Sequence, residues 1–116
     1  MHLNIENKVA VVTGASRGIG YRITERLLEE GAKVMICSSQ QRHVEQAIEI
    51  LRKKSGKCIE GITADVRNYR QVERLMAACE ETFGGIDILV NNAGIAIFRS
   101  VDRMSPEEWD AVIGTN

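Results

Sequence analysis

The stretch that most constrains this chain is Lys8-Val9-Ala10-Val11-Val12-Thr13 running straight into Gly14-Ala15-Ser16-Arg17-Gly18-Ile19-Gly20. A short, unbroken apolar run rich in β-branched residues and closed by glycine suits a parallel strand buried on both faces. Beyond the glycines, Ile19, Ile23 and Leu27 recur every four residues, with Arg22, Glu25, Arg26 and Glu29 between them, and Gly31 stops the run. That spacing predicts an amphipathic helix with its apolar face on Ile19, Ile23 and Leu27.

The same pattern repeats along the chain. Lys33-Val34-Met35-Ile36-Cys37 is a second apolar strand, and Val44, Ala47, Ile48 and Leu51 mark a helix ending near Gly56. A third, more broken strand runs from Cys58 to Ala64, and a third helix carries Val72, Leu75, Met76, Cys79 and Phe83 on one face, with Asn68 and Gln71 as a capping pair at its start. The fourth strand, Ile86 to Val90, follows Gly84-Gly85 and leads into Asn91-Asn92-Ala93-Gly94. A loop through Phe98 then reaches Ser105-Pro106-Glu107-Glu108, where Ser105 caps, Pro106 suits the first helical position and Glu108 completes a capping box. A fourth helix is therefore expected from Pro106, with a stripe of Trp109, Val112 and Ile113 and no stop signal before Asn116. Strict strand-helix alternation predicts an α/β fold, a parallel sheet with right-handed crossovers and helices on both faces. Without repeats, low-complexity tracts or linkers, residues 1–116 read as one domain.

Composition excludes more than it assigns. With 15 basic against 16 acidic residues and a net charge of -1, nothing electrostatic argues for nucleic acid or an anionic membrane, so the expected partner is a small molecule. Cys37, Cys58 and Cys79 form no CxxC pair and are an odd number, which fits reduced thiols in the cytoplasm, with Cys37 and Cys79 packed in the core. No apolar leader opens the chain, and no stretch approaches the roughly 20 apolar residues of a membrane span, so a soluble, cytoplasmic protein is expected. His2 and His43 have no acidic or cysteine partners at ligand spacing; both are expected to be exposed, and no metal site is expected.

The chemistry sits in the glycine turn. Gly14 permits the tight bend, Gly18 lets the backbone approach a pyrophosphate, and Gly20 lets the helix pack closely on the strand, while the helix N-terminus attracts phosphate. Residues 13 to 20 resemble the cofactor motif Thr-Gly-x-x-x-Gly-x-Gly of the short-chain dehydrogenase/reductase family, and Asn91 to Gly94 match its second motif, Asn-Asn-Ala-Gly after the fourth strand. The resemblance spans the chain, which corresponds to about the first half of a family member. It implies a Rossmann-like doubly wound parallel sheet of order 3-2-1-4, here reaching only the start of the fourth helix and leaving the fourth strand as an uncovered edge. It also implies that Ser16, Arg17 and Ile19 share the cofactor loop and that Asp65, followed by Val66, contacts the adenine ring. Asn92 and Ala93 would then lie near the adenosine ribose, with Gly94 completing that turn and, with Asn91, tying the central strands together.

The choice between NAD and NADP turns on the end of the second strand, where an acidic residue about 20 residues beyond the glycines binds the ribose 2′-hydroxyl of NAD. Here the segment reads Cys37-Ser38-Ser39-Gln40-Gln41-Arg42, with no carboxylate before Glu45. Ser38 and Ser39 can donate to a hydroxyl or a phosphate, and Arg17, with Arg42 if the loop folds back, supplies positive charge, so NADP is expected over NAD. NADP-binding relatives often carry Arg where Ser39 stands; this chain does not.

The family's catalytic set is Asn, Ser, Tyr and Lys, with Tyr and Lys four residues apart on one helix. Asn116 matches the Asn; Tyr21 and Tyr69 are followed four residues later by Glu25 and Glu73, so neither fills the Tyr role. The expectation is a parent enzyme passing hydride between NAD(P)(H) and a secondary alcohol or ketone, its partners being that small substrate and, through the fourth helix, further copies in a homo-oligomer. The alternative is that this chain alone is a noncatalytic nucleotide-binding fragment. Epimerases and dehydratases of the related extended group share fold and cofactor, but normally carry a different glycine spacing and lack Asn-Asn-Ala-Gly.

Overall fold

The computed structural model describes residues 4–16 and 18–91, together with the backbone of 95–98. Strands β1 (Val9–Thr13), β2 (Lys33–Ser38), β3 (Ile59–Thr63) and β4 (Ile88–Asn91) alternate with helices α1 (Gly18–Glu29), α2 (Gln41–Ser55) and α3 (Tyr69–Phe83), and β5 (Ile95–Phe98) follows. The sheet order is β3-β2-β1-β4-β5. The first four strands are parallel, with Thr13 beside Cys37, Ser38 beside Thr63 and Val12 beside Val90, so their C-terminal ends share one edge of the sheet.

The period-2 alternation of each strand divides the interior into two layers. Ala10, Val12, Val34, Ile36, Ile88 and Val90 face α1 and α2, packing on Leu27, Ala47 and Leu51. Val9, Val11, Met35, Cys37 and Leu89 face the opposite side, packing on Val72, Leu75 and Cys79 of α3. All five residues of β1 are buried, as the unbroken apolar run requires.

Three expectations need correction. The buried face of α1 is Gly20, Thr24 and Leu27, whereas Ile19 is 70% exposed and Ile23 only partly buried. The helix is rotated because Gly20 lies against the backbone of Gly14 and Ala15, and Thr24 avoids a polar burial cost by donating to the Gly20 carbonyl at 2.8 Å. The loop anticipated through Phe98 contains β5, antiparallel to β4 with Asn91 beside Ile95 and Ile88 beside Phe98, so β4 is not the uncovered edge. Pairing the apolar run Ile95-Ala96-Ile97-Phe98 satisfies backbone groups that an open edge would leave to water. His43, expected to be exposed, is half-buried in the first turn of α2. The fourth helix expected from Pro106 lies outside the described residues.

One edge of the sheet is β3. Its outward carbonyls are capped from opposite faces, by Arg52 of α2 on Ile59 at 3.2 Å and by Arg74 of α3 on Thr63 at 2.7 Å. Arg52 also pairs with Glu60 at 2.8 Å. Charged groups over an edge discourage pairing with another chain.

The capping pair of α3 is split. The Asn68 side chain accepts from the Gln71 N–H at 3.2 Å, but the Gln71 side chain reaches past Asn68 to accept from the Asp65 N–H at 2.7 Å. Asn68→Ala should lower stability by about 1 kcal/mol and Asn68→Gly by only a few tenths, measured as urea unfolding midpoints; equal losses for both would assign Asn68 another role.

Candidate functional site

The glycine turn lies between β1 and α1, at the sheet edge where the four parallel strands end. Gly18 opens α1 at a φ of 64°, and nothing lies within 4 Å of the position where a Cβ would stand. At Gly20 the opposite holds: a Cβ would overlap the Gly14 carbonyl oxygen and come within 3.0 Å of Ala15 Cα. The helix start is therefore pressed against the turn on one side and open on the other. First-turn N–H groups of a helix have no acceptor within it, and the helix dipole adds positive potential, so an oxyanion is favoured there.

Hydrogen bonds connect this turn to the ends of the neighbouring strands. The Ala15 N–H donates to the Cys37 carbonyl at 3.3 Å, and the Ser16 and Ser38 hydroxyls are 3.3 Å apart. Ser38 Oγ also accepts from the Gln40 N–H at 3.5 Å, and the Ser38 carbonyl accepts from the Ala64 N–H at 3.0 Å. Gly14, Ser16, Gly18, Ile19, Gly20, Ser38, Asp65 and Val66 thus follow one ledge across the ends of β1, β2 and β3, with Ser39 exposed just beyond Ser38. On the other flank, the buried Thr13 hydroxyl is 3.5 Å from the Val90 carbonyl and 3.4 Å from Asn91 Oδ1, joining β1 to β4.

Asp65 stands just past β3. Its carboxylate takes three hydrogen bonds from Arg67, two of them from the side chain, and the Arg67 guanidinium holds its pKa below the usual value. Cys37 sits beneath the glycine turn, and burial pushes its thiol up to about 12 despite the opposing Gly14 N–H; burial, with Glu80 and Asp87 nearby, does the same to Cys79. Both are packing groups, with too little thiolate at neutral pH to act as nucleophiles. Burial, followed by the Glu25 charge, raises the Tyr21 pKa, the reverse of what a proton-transferring tyrosine needs.

Arg17, Asn92, Ala93, Gly94 and Asn116 lie outside the described residues. Arg67 has as its only sequence signal a cation two residues beyond Asp65, and Gln71, expected as a cap, fixes Asp65 instead. Two shallow grooves of about 550 and 290 Å³ lie away from the ledge, against α2, lined respectively by Ile48, Arg52 and Glu60 and by Leu28, Leu51 and Lys54. Among the described residues, no group of His, Cys, Asp and Glu is placed to hold a metal, and no helix is long and apolar enough to cross a membrane.

A doubly wound sheet with a glycine turn opening its first helix at the switch between β2 and β4 defines a nucleotide-binding α/β fold. The chain belongs to the short chain dehydrogenase family, whose model matches residues 8–116. It is 45% identical over 114 residues to the 3-oxoacyl-acyl-carrier-protein reductase FabG of Vibrio cholerae, covering 98% of this chain and 45% of that protein. Among solved structures it is similar to L-sorbose reductase from Gluconobacter frateurii complexed with NADPH and L-sorbose, at 35% identity and a TM-score of 0.75, covering 94% of this chain and 41% of that one. It is also similar to a short chain dehydrogenase/reductase from Burkholderia phymatum in complex with NAD, at 31% identity and a TM-score of 0.71, covering 75% and 31% respectively. The chain spans about half the length of the curated relatives it matches.

Proposed function

We propose that residues 1–116 form one nicotinamide dinucleotide-binding domain, and that the protein carrying them is an oxidoreductase acting between a secondary alcohol and a ketone. The observation that carries this reading is the glycine turn, closed on the strand side at Gly20 and open at Gly18, at the C-terminal edge of a doubly wound sheet. When bound, the nicotinamide would supply the hydride acceptor or donor; the protein supplies placement.

In this reading Gly14, Ser16, Arg17, Gly18, Ile19 and Gly20 surround the pyrophosphate, with the α1 N-terminus balancing its charge. Asp65 and Val66 border the adenine, Asp65 accepting from its 6-amino group, and Asn92, Ala93 and Gly94 border the adenosine ribose. Asn116 takes the catalytic Asn position. The β2 end favours NADP: it carries no carboxylate to repel a 2′-phosphate, and Ser38, already accepting from Gln40, has its proton to offer an anion. Its similarity both to an NADPH complex and to an NAD complex leaves that preference to experiment.

The substrate class stops at a small alcohol or ketone, since the relatives named are a 3-oxoacyl-acyl-carrier-protein reductase and an L-sorbose reductase. A cytoplasmic protein with no nucleic-acid or anionic-membrane partner fits three free cysteines and a balanced charge, and the fourth helix expected from Pro106 would join copies in a homo-oligomer. A second reading applies to residues 1–116 taken alone, that they bind nucleotide without catalysis. It is favoured by the absence of Tyr-x-x-x-Lys and by the raised pKa of Tyr21.

Fluorescence titration of the purified protein with NADPH and NADH tests the cofactor assignment. NADPH is expected to bind more tightly; tighter binding of NADH overturns the preference, and binding of neither overturns the site. Alcohol-dependent reduction of NADP by residues 1–116 alone would overturn the second reading.

A further inference from the structure

Both the backbone and the carboxylate of Asp65 are held in place. Its N–H donates to Gln71 Oε1 at 2.7 Å and its carbonyl accepts from the Asn68 N–H at 3.0 Å, which fixes the main chain. Arg67 then fixes the side chain: its backbone N–H and Nε donate to Oδ1 at 3.0 and 3.1 Å, and a terminal guanidinium nitrogen donates to Oδ2 at 3.2 Å. Each carboxylate oxygen can accept about two hydrogen bonds. Oδ1 is therefore filled by Arg67, and Oδ2 keeps one acceptor position from this pair.

We propose that Arg67 is a positioning residue for the nucleotide's adenine, orienting Asp65 so that the remaining acceptor position on Oδ2 is left for the 6-amino group. This rests on the adenine contact proposed above for Asp65. Three features support it. The Arg67 side chain is 85% exposed, so packing does not account for its conformation. An exposed ion pair contributes little to folding, so a three-bond grip on one carboxylate serves orientation more than stability. The Asp65 turn is also joined to the β2 end, where the adenosine ribose is proposed to lie, through the Ala64 N–H on the Ser38 carbonyl at 3.0 Å.

The test compares NADH with its deamino analogue, which carries hypoxanthine and so lacks the 6-amino group. Arg67→Ala in the purified protein should weaken NADH binding about fivefold, the effect of one poorly oriented charge-assisted hydrogen bond. Deamino-NADH affinity and the unfolding midpoint should not change. Arg67→Lys should recover part of the loss. In an Asp65→Ala background, Arg67→Ala should add nothing. A loss for both nucleotides alike, or an equal loss in the Asp65→Ala background, overturns the proposal, because Arg67 would then act on its own. If Asp65→Ala weakens NADH and Arg67→Ala does not, the positioning role alone fails. If Asp65→Ala itself is without effect, the adenine contact fails and this inference with it.

Discussion

Gly20→Val is expected to abolish dinucleotide binding and to destabilise the fold by about 3 kcal/mol. The added Cβ would overlap the Gly14 carbonyl oxygen and stand 3.0 Å from Gly14 C and Ala15 Cα, all of them backbone atoms that cannot swing aside. The helix has to lift, and it carries Thr24, bonded to the Gly20 carbonyl at 2.8 Å, and Leu27 away from the sheet. The same displacement moves the first turn of α1 off the ledge it shares with Ser16 and Ser38, so binding and stability fall together. Gly85→Ala is the matched control, because a Cβ there meets nothing within 4 Å and its φ is not positive. Urea unfolding and NADPH titration on both variants check the claim; a stable, NADPH-binding Gly20→Val protein would show that the close approach is not required.

Leu75→Ala should cost about 3 kcal/mol, the usual range for a fully buried leucine that leaves a cavity. Leu75 has no exposed surface and belongs to the layer formed by Val11, Met35, Cys37 and Leu89. Among the described residues α3 is the only helix on that face. Ile50→Ala, at a site 52% exposed on α2, should shift stability by less than about 0.5 kcal/mol. Equal shifts for the two variants in urea would contradict the assignment of the two layers.

The architecture was legible because the buried strands leave a plain trace: β1 is apolar at every position up to Thr13, and glycines sit at its end and after α1. The burial of Cys37 and Cys79 was legible for the same reason, both lying within apolar runs. The face of α1 was not. Ile19, Ile23 and Leu27 form a convincing apolar stripe, but the backbone approach at Gly20 overrides it and turns Ile19 to solvent beside the open helix start. β5 was missed because a four-residue apolar run between polar segments fits a loop as well as a strand, and only pairing with β4 decides. At the site, spacing pointed to the glycines and the serines at the β2 end, and the family resemblance pointed to Asp65. The three bonds from Arg67 were invisible, since they depend on a turn that folds the chain back within two residues.

In the proposed site a nicotinamide dinucleotide lies along the ends of β1, β2 and β3, over the first turn of α1. An amide NMR titration of the purified protein with NADPH tests it most directly. Saturable shifts are expected at Gly14, Ser16, Gly18, Ile19 and Gly20, continuing through Ser38 and Ser39 to Asp65 and Val66, with Glu45, Glu49 and Arg52 beside the α2 groove unmoved. Shifts confined to that groove, or a spectrum unchanged by NADPH, would contradict it.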